Sequence, residues 1–379
     1  MKSITKKLVA GATACLCLVS ALTGCYSEDK AWSAKRGDDT APIGVYIYYL
    51  SSAYSEALGK VEDASKSVFD QEIDGKDGAQ WVKDRAKESI QLMYYVDQKF
   101  EDMGLTLDDD DESQISSITS SAWSYSSSSF NQYGISQQSL EKAYSQFVVK
   151  YQKIFEATYG KGGEKEVSDE DLRSFYEDKY TDFEYFTCSY TKTNEDGSSE
   201  AMSDEEKAEA KKQFEEYVTK IQNHDLTMST AADEYKKSID SDTDLLQSQT
   251  LDLDTEAYYY PDEVVEKLKS MKEGEVSYVD LPDSNRFYVL QKNSISEKCD
   301  EVLKDDSQRL NVLSTMKSEE FSKAMEEAAA ALDDITFNDA ALDSYNPNMF
   351  FSENDLVSSS TSSESSSSSD SSSESSSEE

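Results

Sequence analysis

The stretch LEKAYSQFVVKYQKIF, residues 140–155, decides the fold class. Leu140, Ala143, Tyr144, Phe147, Val148, Tyr151, Ile154 and Phe155 recur at i, i+3, i+4, i+7 and onward. That period of 3.6 puts one apolar stripe on one side of a helix, and it is the strongest such stripe in the chain. Gly134 stands before it, and Gly160, Gly162 and Gly163 stand after it, where a helix ends. Working back toward the N-terminus, Ile43 to Leu58 is rich in tyrosine and aliphatic residues. Trp81, Val82, Ala86, Ile90, Met93, Tyr94 and Phe100 keep helical spacing. Working forward, Ser168-Asp169-Glu170-Asp171 has the pattern of a capping box and opens a short helix with Leu172, Phe175, Tyr176 and Tyr180.

The character changes at Phe183. Phe183 to Thr193 is aromatic and threonine-rich, alternates in part, and predicts a strand that turns at Asn194-Glu195-Asp196-Gly197. Ser203-Asp204-Glu205-Glu206 caps a helix that turns Phe214, Tyr217, Val218 and Ile221 inward. A short helix around Thr230 to Ser238, a polar-apolar segment from Leu245 to Leu253 and a helix from Pro261 to Met271 follow. Val276 to Val279 and Phe287 to Lys292 predict strands, and Val302 to Leu332 predicts a long helix with Leu310, Leu313, Phe321, Ala324, Met325 and Ala328 on its apolar side. The expected class is α+β, mainly α, with one small α+β unit set between helical segments.

The chain has 379 residues, with 77 Asp and Glu against 37 Lys and Arg, a formal net charge of −40. Such a chain is repelled by nucleic acid and by anionic lipid head groups, so nucleic-acid binding is excluded. The run Asp108-Asp109-Asp110-Asp111-Glu112 lacks the alternating ligands and central glycine of a calcium loop, and acids at a helix N-terminus have their own electrostatic reason to be there. The single His224 leaves no room for a histidine-rich metal site or a Ser-His-Asp triad, and no metal or cofactor is expected. Cys188 and Cys299 are the two cysteines of the body. They allow one disulfide, but without a framework of spacings two buried free thiols are the simpler reading.

Both ends of the chain are distinctive. Lys2, Lys6 and Lys7 precede an apolar run from Leu8 to Leu22, which is the build of a secretory signal peptide over residues 1–24. Its close, Leu22-Thr23-Gly24-Cys25, resembles the lipobox of bacterial lipoproteins. The resemblance implies that Cys25 is lipidated and becomes the first residue of the mature chain. Loss of the three leader lysines takes the net charge to −43. Residues 25–41 are expected to be a tether and residues 341–379 a Ser/acid-rich disordered tail, since 357–379 is almost only Ser, Glu and Asp and cannot bury apolar area against the entropy of ordering. The body between them suffices for two domains.

Four segments in order are similar to the PrsA/SurA-type secreted foldases, in which a parvulin-like domain is inserted into a helical chaperone domain. They are Gln132-Tyr133-Gly134-Ile135-Ser136 with Leu140; Val167-Ser168-Asp169-Glu170-Asp171-Leu172 with Phe175, Tyr176 and Tyr180; Val264 to Leu268 leading to Lys272-Glu273-Gly274-Glu275-Val276-Ser277; and Phe287-Tyr288-Val289-Leu290 before the long helix. The resemblance spans about residues 43–340. It implies a helical chaperone domain over 42–180, a parvulin-like domain over 181–297, and a C-terminal segment over 298–340 that returns to the helical domain. It implies unfolded or nascent secreted proteins as partners and a lipid-anchored place on the outer face of a bacterial cell membrane.

The chain departs from the family where the chemistry sits. Parvulin domains carry a His on the first strand and another on the last. Tyr185-Phe186-Thr187-Cys188-Ser189-Tyr190 has none, and Tyr288 stands near the second position. Asp242-Thr243-Asp244-Leu245 keeps only the Asp-Leu of the family's glycine-rich loop. Isomerising a prolyl bond needs a groove that holds a twisted imide against the high barrier of peptide rotation, through hydrogen bonds placed for that twist. Without both histidines the expectation is a groove that binds peptide, with Cys188, Tyr190, Leu245 and Tyr288 in it, and isomerase activity in doubt. The alternatives are an active isomerase using other residues, a solute-binding lipoprotein of a transporter, which needs two lobes built of βα units, and an adhesive surface protein, for which repeats are missing.

Overall fold

The structure, a computed structural model, describes residues 30–193, 198–352 and 355. The signal peptide, Cys25, the turn at 194–197 and the tail from residue 356 lie outside the described residues.

The described chain begins with a hairpin, β1 (Trp32–Arg36) and β2 (Asp39–Pro42), and enters helix α1 (Ile43–Leu58). Pro42 before α1 supplies a φ of −58 and no N–H, as suits a helix start. A two-residue hairpin, β3 (Glu72–Ile73) and β4 (Lys76–Asp77), leads into α2 (Gly78–Asp102), whose first turn is capped by Asp77 accepting from the Gln80 N–H at 3.1 Å. α3 (Asp109–Tyr133) opens on a capping box between Asp108 and Asp111, so two acids of the run cap the helix and the rest stand in its first turn. Gly134, at φ 84, ends α3 in the left-handed region. α4 (Gln137–Leu140) then runs through a π turn at Glu141–Ser145 into α5 (Gln146–Tyr159).

The π turn changes the reading of the stripe at 140–155. One extra residue per turn rotates everything after it. Leu140, Ala143, Ile154 and Phe155 are buried as expected, but Val149 is buried too and Tyr144 faces out. The turn has two uses. The Ala143 carbonyl accepts from the Tyr49 hydroxyl at 2.7 Å, and Ser145 is buried against the Thr119 hydroxyl at 2.7 Å.

α6 (Asp169–Lys179) is capped by Ser168 and leads to β5 (Thr181–Ser189), β6 (Thr191–Thr193) and β7 (Ser199–Ala201). α7 (Asp204–Gln222), with the expected capping box at Ser203, and α8 (Met228–Ser238) follow. β8 (Gln247–Leu251), α9 (Asp262–Ser270), β9 (Val276–Leu281) and β10 (Arg286–Lys292) complete an antiparallel sheet of order β8-β5-β10-β9. A short helix, α10 (Ile295–Val302), comes before the long helix expected over Val302–Leu332, which is α11 (Asp306–Ala330); the chain breaks after Val302, and Asp305 starts α11 by accepting from the Gln308 N–H at 2.8 Å. β11 (Thr336–Phe337) and α12 (Asp339–Leu342) end the regular structure. The class is α+β, mainly α.

The chain divides into two compact units. One runs up to Lys153 and resumes at Met325; the other is Ile154–Ala324. The cuts fall inside α5 and α11, wider than the 181–297 insert expected from sequence. The wider unit holds α6 and α10, tied by the ion pair of Arg173 with Asp300, and Arg309 bonded to Asp169 at 2.9 Å.

The first unit is built on α1, whose Val45, Tyr46, Ile47, Leu50, Ala53 and Ala57 are fully or nearly fully buried. Gly44 is required there, because a Cβ would stand 2.5 Å from the Ser139 hydroxyl. Two expectations about the ends of the body are corrected in this unit. The sequence suggests a tether up to residue 41, yet β1 pairs with β2 and β11, and Ser33, Ala34 and Ala41 are buried. The Tyr94 hydroxyl holds this hairpin, donating to the Ala34 carbonyl and accepting from the Ala41 N–H. The sequence suggests a tail from residue 341, yet Leu342 and Phe350 are in the core and Phe350 meets Tyr133 at 4.7 Å. Short, sparse apolar residues among polar ones escaped a composition argument.

Candidate functional site

The four-stranded sheet has two unlike faces, set by the period of two along each strand. Phe186, Cys188 and Tyr190 of β5 and its extension, with Phe287 and Val289 of β10, pack under Phe214, Tyr217 and Val218 of α7 and Ala231, Ala232 and Tyr235 of α8. That face is closed. The other face carries Phe183 and Tyr185 of β5, Tyr288 and Leu290 of β10 and Val279 of β9, and α9 covers part of it through Val264 and Leu268. The remainder is open.

The open part is a cavity of about 590 Å³. Its floor is Tyr185 and Thr187 on β5 and Tyr288 on β10, with Thr187 and Tyr288 directly paired across the strands. Leu245, Gln247, Gln249 and Leu251 form the wall on the β8 side, and Tyr259 and Tyr260 stand at one end. Tyr185 meets the Tyr260 ring edge-on at 5.6 Å and the Tyr288 ring at 6.0 Å. Burial first, then the hydrogen bond with Tyr185, pushes the Tyr260 hydroxyl well above its ordinary value, so it stays a neutral phenol. Tyr258 and Tyr259, 73 % and 82 % exposed, meet at 4.0 Å with their rings tilted by 41° beside the opening. The groove thus offers aromatic surface with hydroxyl and amide groups at hydrogen-bonding positions, and no nucleophile paired with a base.

Of the four groove residues expected from sequence, the structure brings two together. Leu245 and Tyr288 line the cavity. Cys188 and Tyr190 do not: their side chains point to the closed face. Burial pushes the Cys188 thiol far above its ordinary value, which makes it unreactive. The Tyr190 ring is buried and its hydroxyl donates to Asp280 Oδ1 at 2.9 Å. Both Cys188 and Cys299 are free thiols. Sequence reading missed Tyr185, Tyr260 and Arg286. Counting by twos from Tyr288 and from Thr187 finds Tyr185 and Arg286.

The first unit carries a second exposed surface. Residues 113–140 contain no charged side chain in a chain that is 30 % charged. α3 occupies most of them and buries only Ile115 and Thr119 fully. Tyr125 on α3 is 93 % exposed. Trp123 stacks on Phe130 at 5.8 Å, Phe130 meets Tyr48 at 6.5 Å, and Tyr48 meets the outward Tyr144 at 6.1 Å. Serines at 121, 124 and 128 lie exposed on α3. Among the described residues no helix is long and apolar enough to cross a membrane.

No protein-family model matches the chain, and no curated protein does. Two solved structures are similar over most of its length. One is the foldase protein PrsA from Lactococcus lactis, at 12 % identity and a TM-score of 0.32, covering 85 % of this chain and 99 % of that one. The other is the foldase protein PrsA from a Streptococcus pneumoniae strain, at 13 % identity and a TM-score of 0.35, covering 71 % of this chain and 88 % of that one.

Proposed function

We propose that this chain is a foldase of the extracytoplasmic face, lipid-anchored through Cys25, that holds unfolded secreted proteins and does not turn over their prolyl bonds. The observation that carries the reading is the charge-free stretch of α3 from residue 113, with Tyr125 exposed on its outer side and Trp123 and Phe130, with Tyr48, half-buried on the inner side. Tyrosine and tryptophan give large contact area for little side-chain entropy, and serine gives adaptable hydrogen bonds. A surface of this make-up suits many sequences and commits to none. The groove on the sheet adds a second place for an extended segment, with shape and apolar contact but without the histidines of active parvulins.

The test is suppression of aggregation of a reduced, unfolded protein by the full chain. Glutamates at three exposed positions of α3 (Ser121→Glu, Tyr125→Glu and Ser128→Glu together) should lower suppression severalfold. The melting temperature should move by only a few degrees, because all three side chains are exposed. Native protein that suppresses nothing, or a triple variant as good as native, overturns the reading. The anchor has its own check: Cys25→Ala should leave an unprocessed precursor without lipid label.

A further inference from the structure

We propose that Arg286 is the specificity anchor of the groove, taking a carboxylate of the bound segment while an apolar residue nearby fills the tyrosine-lined floor. The proposal rests on the groove's binding peptide at all.

Four of the chain's five arginines are paired with acids. Arg36 meets Asp334 at 2.8 Å, Arg85 meets Glu56 at 2.8 Å, Arg309 meets Asp169 at 2.9 Å, and Arg173 holds Asp300. Arg286 has no such partner among the described residues, although the chain carries 77 acids. It lines the cavity and lies exposed. Its backbone is firmly held. Arg286 pairs with Ser189 on β5 and with Leu281 on β9. Asn285 before it sits at φ 50, and its carbonyl accepts from the Tyr190 N–H at 2.9 Å. A guanidinium on a fixed strand, beside an opening and with no ion-pair partner among the described residues, is prepared for a bidentate acceptor.

The acids that share the cavity do not compete for it. Asp244 is paired to Lys236 at 2.7 Å. Glu256 accepts from the Asp252 N–H, just beyond Leu251, which pairs with Thr181. Arg286 pairs with Ser189. Thr181 and Ser189 are the two ends of β5, so Glu256 and Arg286 stand at opposite ends of a groove roughly 25 Å long, beyond the screening length of physiological salt. One end accepts an anion, and the floor between takes apolar side chains. Arg286 and Tyr288 are two residues apart on one face, about 7 Å along the strand. The fitting ligand is therefore an extended peptide with a carboxylate about two residues from an aromatic or aliphatic side chain. That carboxylate belongs to an internal Asp or Glu, or to the chain's own C-terminus.

Fluorescence anisotropy with three dye-labelled peptides decides it. The first is capped at both ends and carries Asp two residues from a Phe; the second has Asn in its place; the third is the Asn peptide shortened to end there in a free carboxylate. The full native chain should bind the Asp peptide about fivefold tighter than the Asn peptide, a margin scaled down for an exposed arginine. Arg286→Gln should abolish that margin and leave the Asn peptide unchanged. Arg286→Lys should keep part of it. Tight binding of the third peptide assigns the site to C-terminal tails; weak binding assigns it to internal acids. Equal binding of the Asp and Asn peptides by native protein, or a margin that survives Arg286→Gln, overturns the role of Arg286 alone. Native protein that binds none of the three overturns the groove as a peptide site as well.

Discussion

The two faces of the sheet are made from the same strands and do opposite things. On the closed face, Phe186, Cys188, Phe287 and Val289 are fully buried under two helices. On the other face, the residues between them, Tyr185, Thr187 and Tyr288, floor a cavity. Neither face is polar, so the strands lack the alternation of a half-solvated sheet. The difference lies in what covers each face. α7 and α8 close one side, whereas on the other α9 is short and the chain before β8 stops at the rim. A surface left uncovered in this way keeps its aromatic residues because something else completes it, or because they hold one another, as Tyr185 and Tyr260 do.

The sharpest way to break this comparison is to truncate neighbours on β5. Phe186→Ala should cost about 3–5 kcal/mol, because it removes a fully buried aromatic side chain and leaves a cavity under α7. Thr187→Ala, one residue on, should cost less than about 1 kcal/mol, since its side chain meets the open groove. Urea midpoints at constant slope give both values. Equal losses would mean that the groove face is as tightly packed as the other.

The same alternation explains how much was legible beforehand. The helices from Ile43 to Phe100, the capping at Ser203, three of the four strands and the class of the fold follow from period and caps, whereas β8 reads only as a polar-apolar segment. Of the four groove residues the sequence suggests, Leu245 and Tyr288 line the cavity, whereas Cys188 and Tyr190 turn to the closed side of the sheet. In TDFEYFTCSY both alternating sets carry two aromatic residues, Phe183 and Tyr185 in one and Phe186 and Tyr190 in the other, so hydrophobicity alone cannot say which one faces the cavity. The pairing of Thr187 with Tyr288 settles it, and pairing is a long-range fact. The π turn at Glu141–Ser145 was invisible for a related reason. Its Ala143 carbonyl and Ser145 hydroxyl are met by Tyr49 and Thr119, which come from other helices. The charge-free run 113–140 was in plain view but has no periodicity to draw attention to it.

A second way to sharpen the comparison uses the acid end of the groove. Asp252, just after β8, accepts from Lys179 at 2.8 Å, from the Thr255 hydroxyl at 2.7 Å and from the Asp254 N–H at 2.9 Å. Lys179 above all holds its carboxyl down at about 2. A depressed carboxyl stabilises the fold above its unfolded value, near 3.9, and that stability is lost as pH falls toward the folded value. Asp252→Asn should therefore cost about 2 kcal/mol at pH 6, and the gap to native should close between about pH 4 and pH 2. Paired denaturation curves across that range measure it. A gap that is flat with pH would mean that the side chain acts by shape and not by charge.

The smallest expected effect is on catalysis. A prolyl bond twists through a state whose carbonyl and nitrogen have lost their resonance, and a catalyst must hydrogen-bond that state more strongly than the planar one. The groove face supplies the Thr187 hydroxyl, the Tyr288 hydroxyl and the Tyr185–Tyr260 pair. The last two are already engaged with each other, and the Tyr260 phenol is held neutral by burial. Cys188, the one thiol on these strands, faces away and stays protonated. Nothing in this set is poised to strengthen as the imide twists. In a protease-coupled assay on a prolyl peptide, the full chain should leave the isomerisation rate within about twofold of the uncatalysed one, and Tyr288→Ala should not change it. Peptide binding in the same groove should weaken severalfold in that variant, because the ring is part of the floor. A rate raised a hundredfold by the native chain, and lost with Tyr288→Ala, would instead make the open face catalytic and turn the contrast between the two faces into one of packing against chemistry.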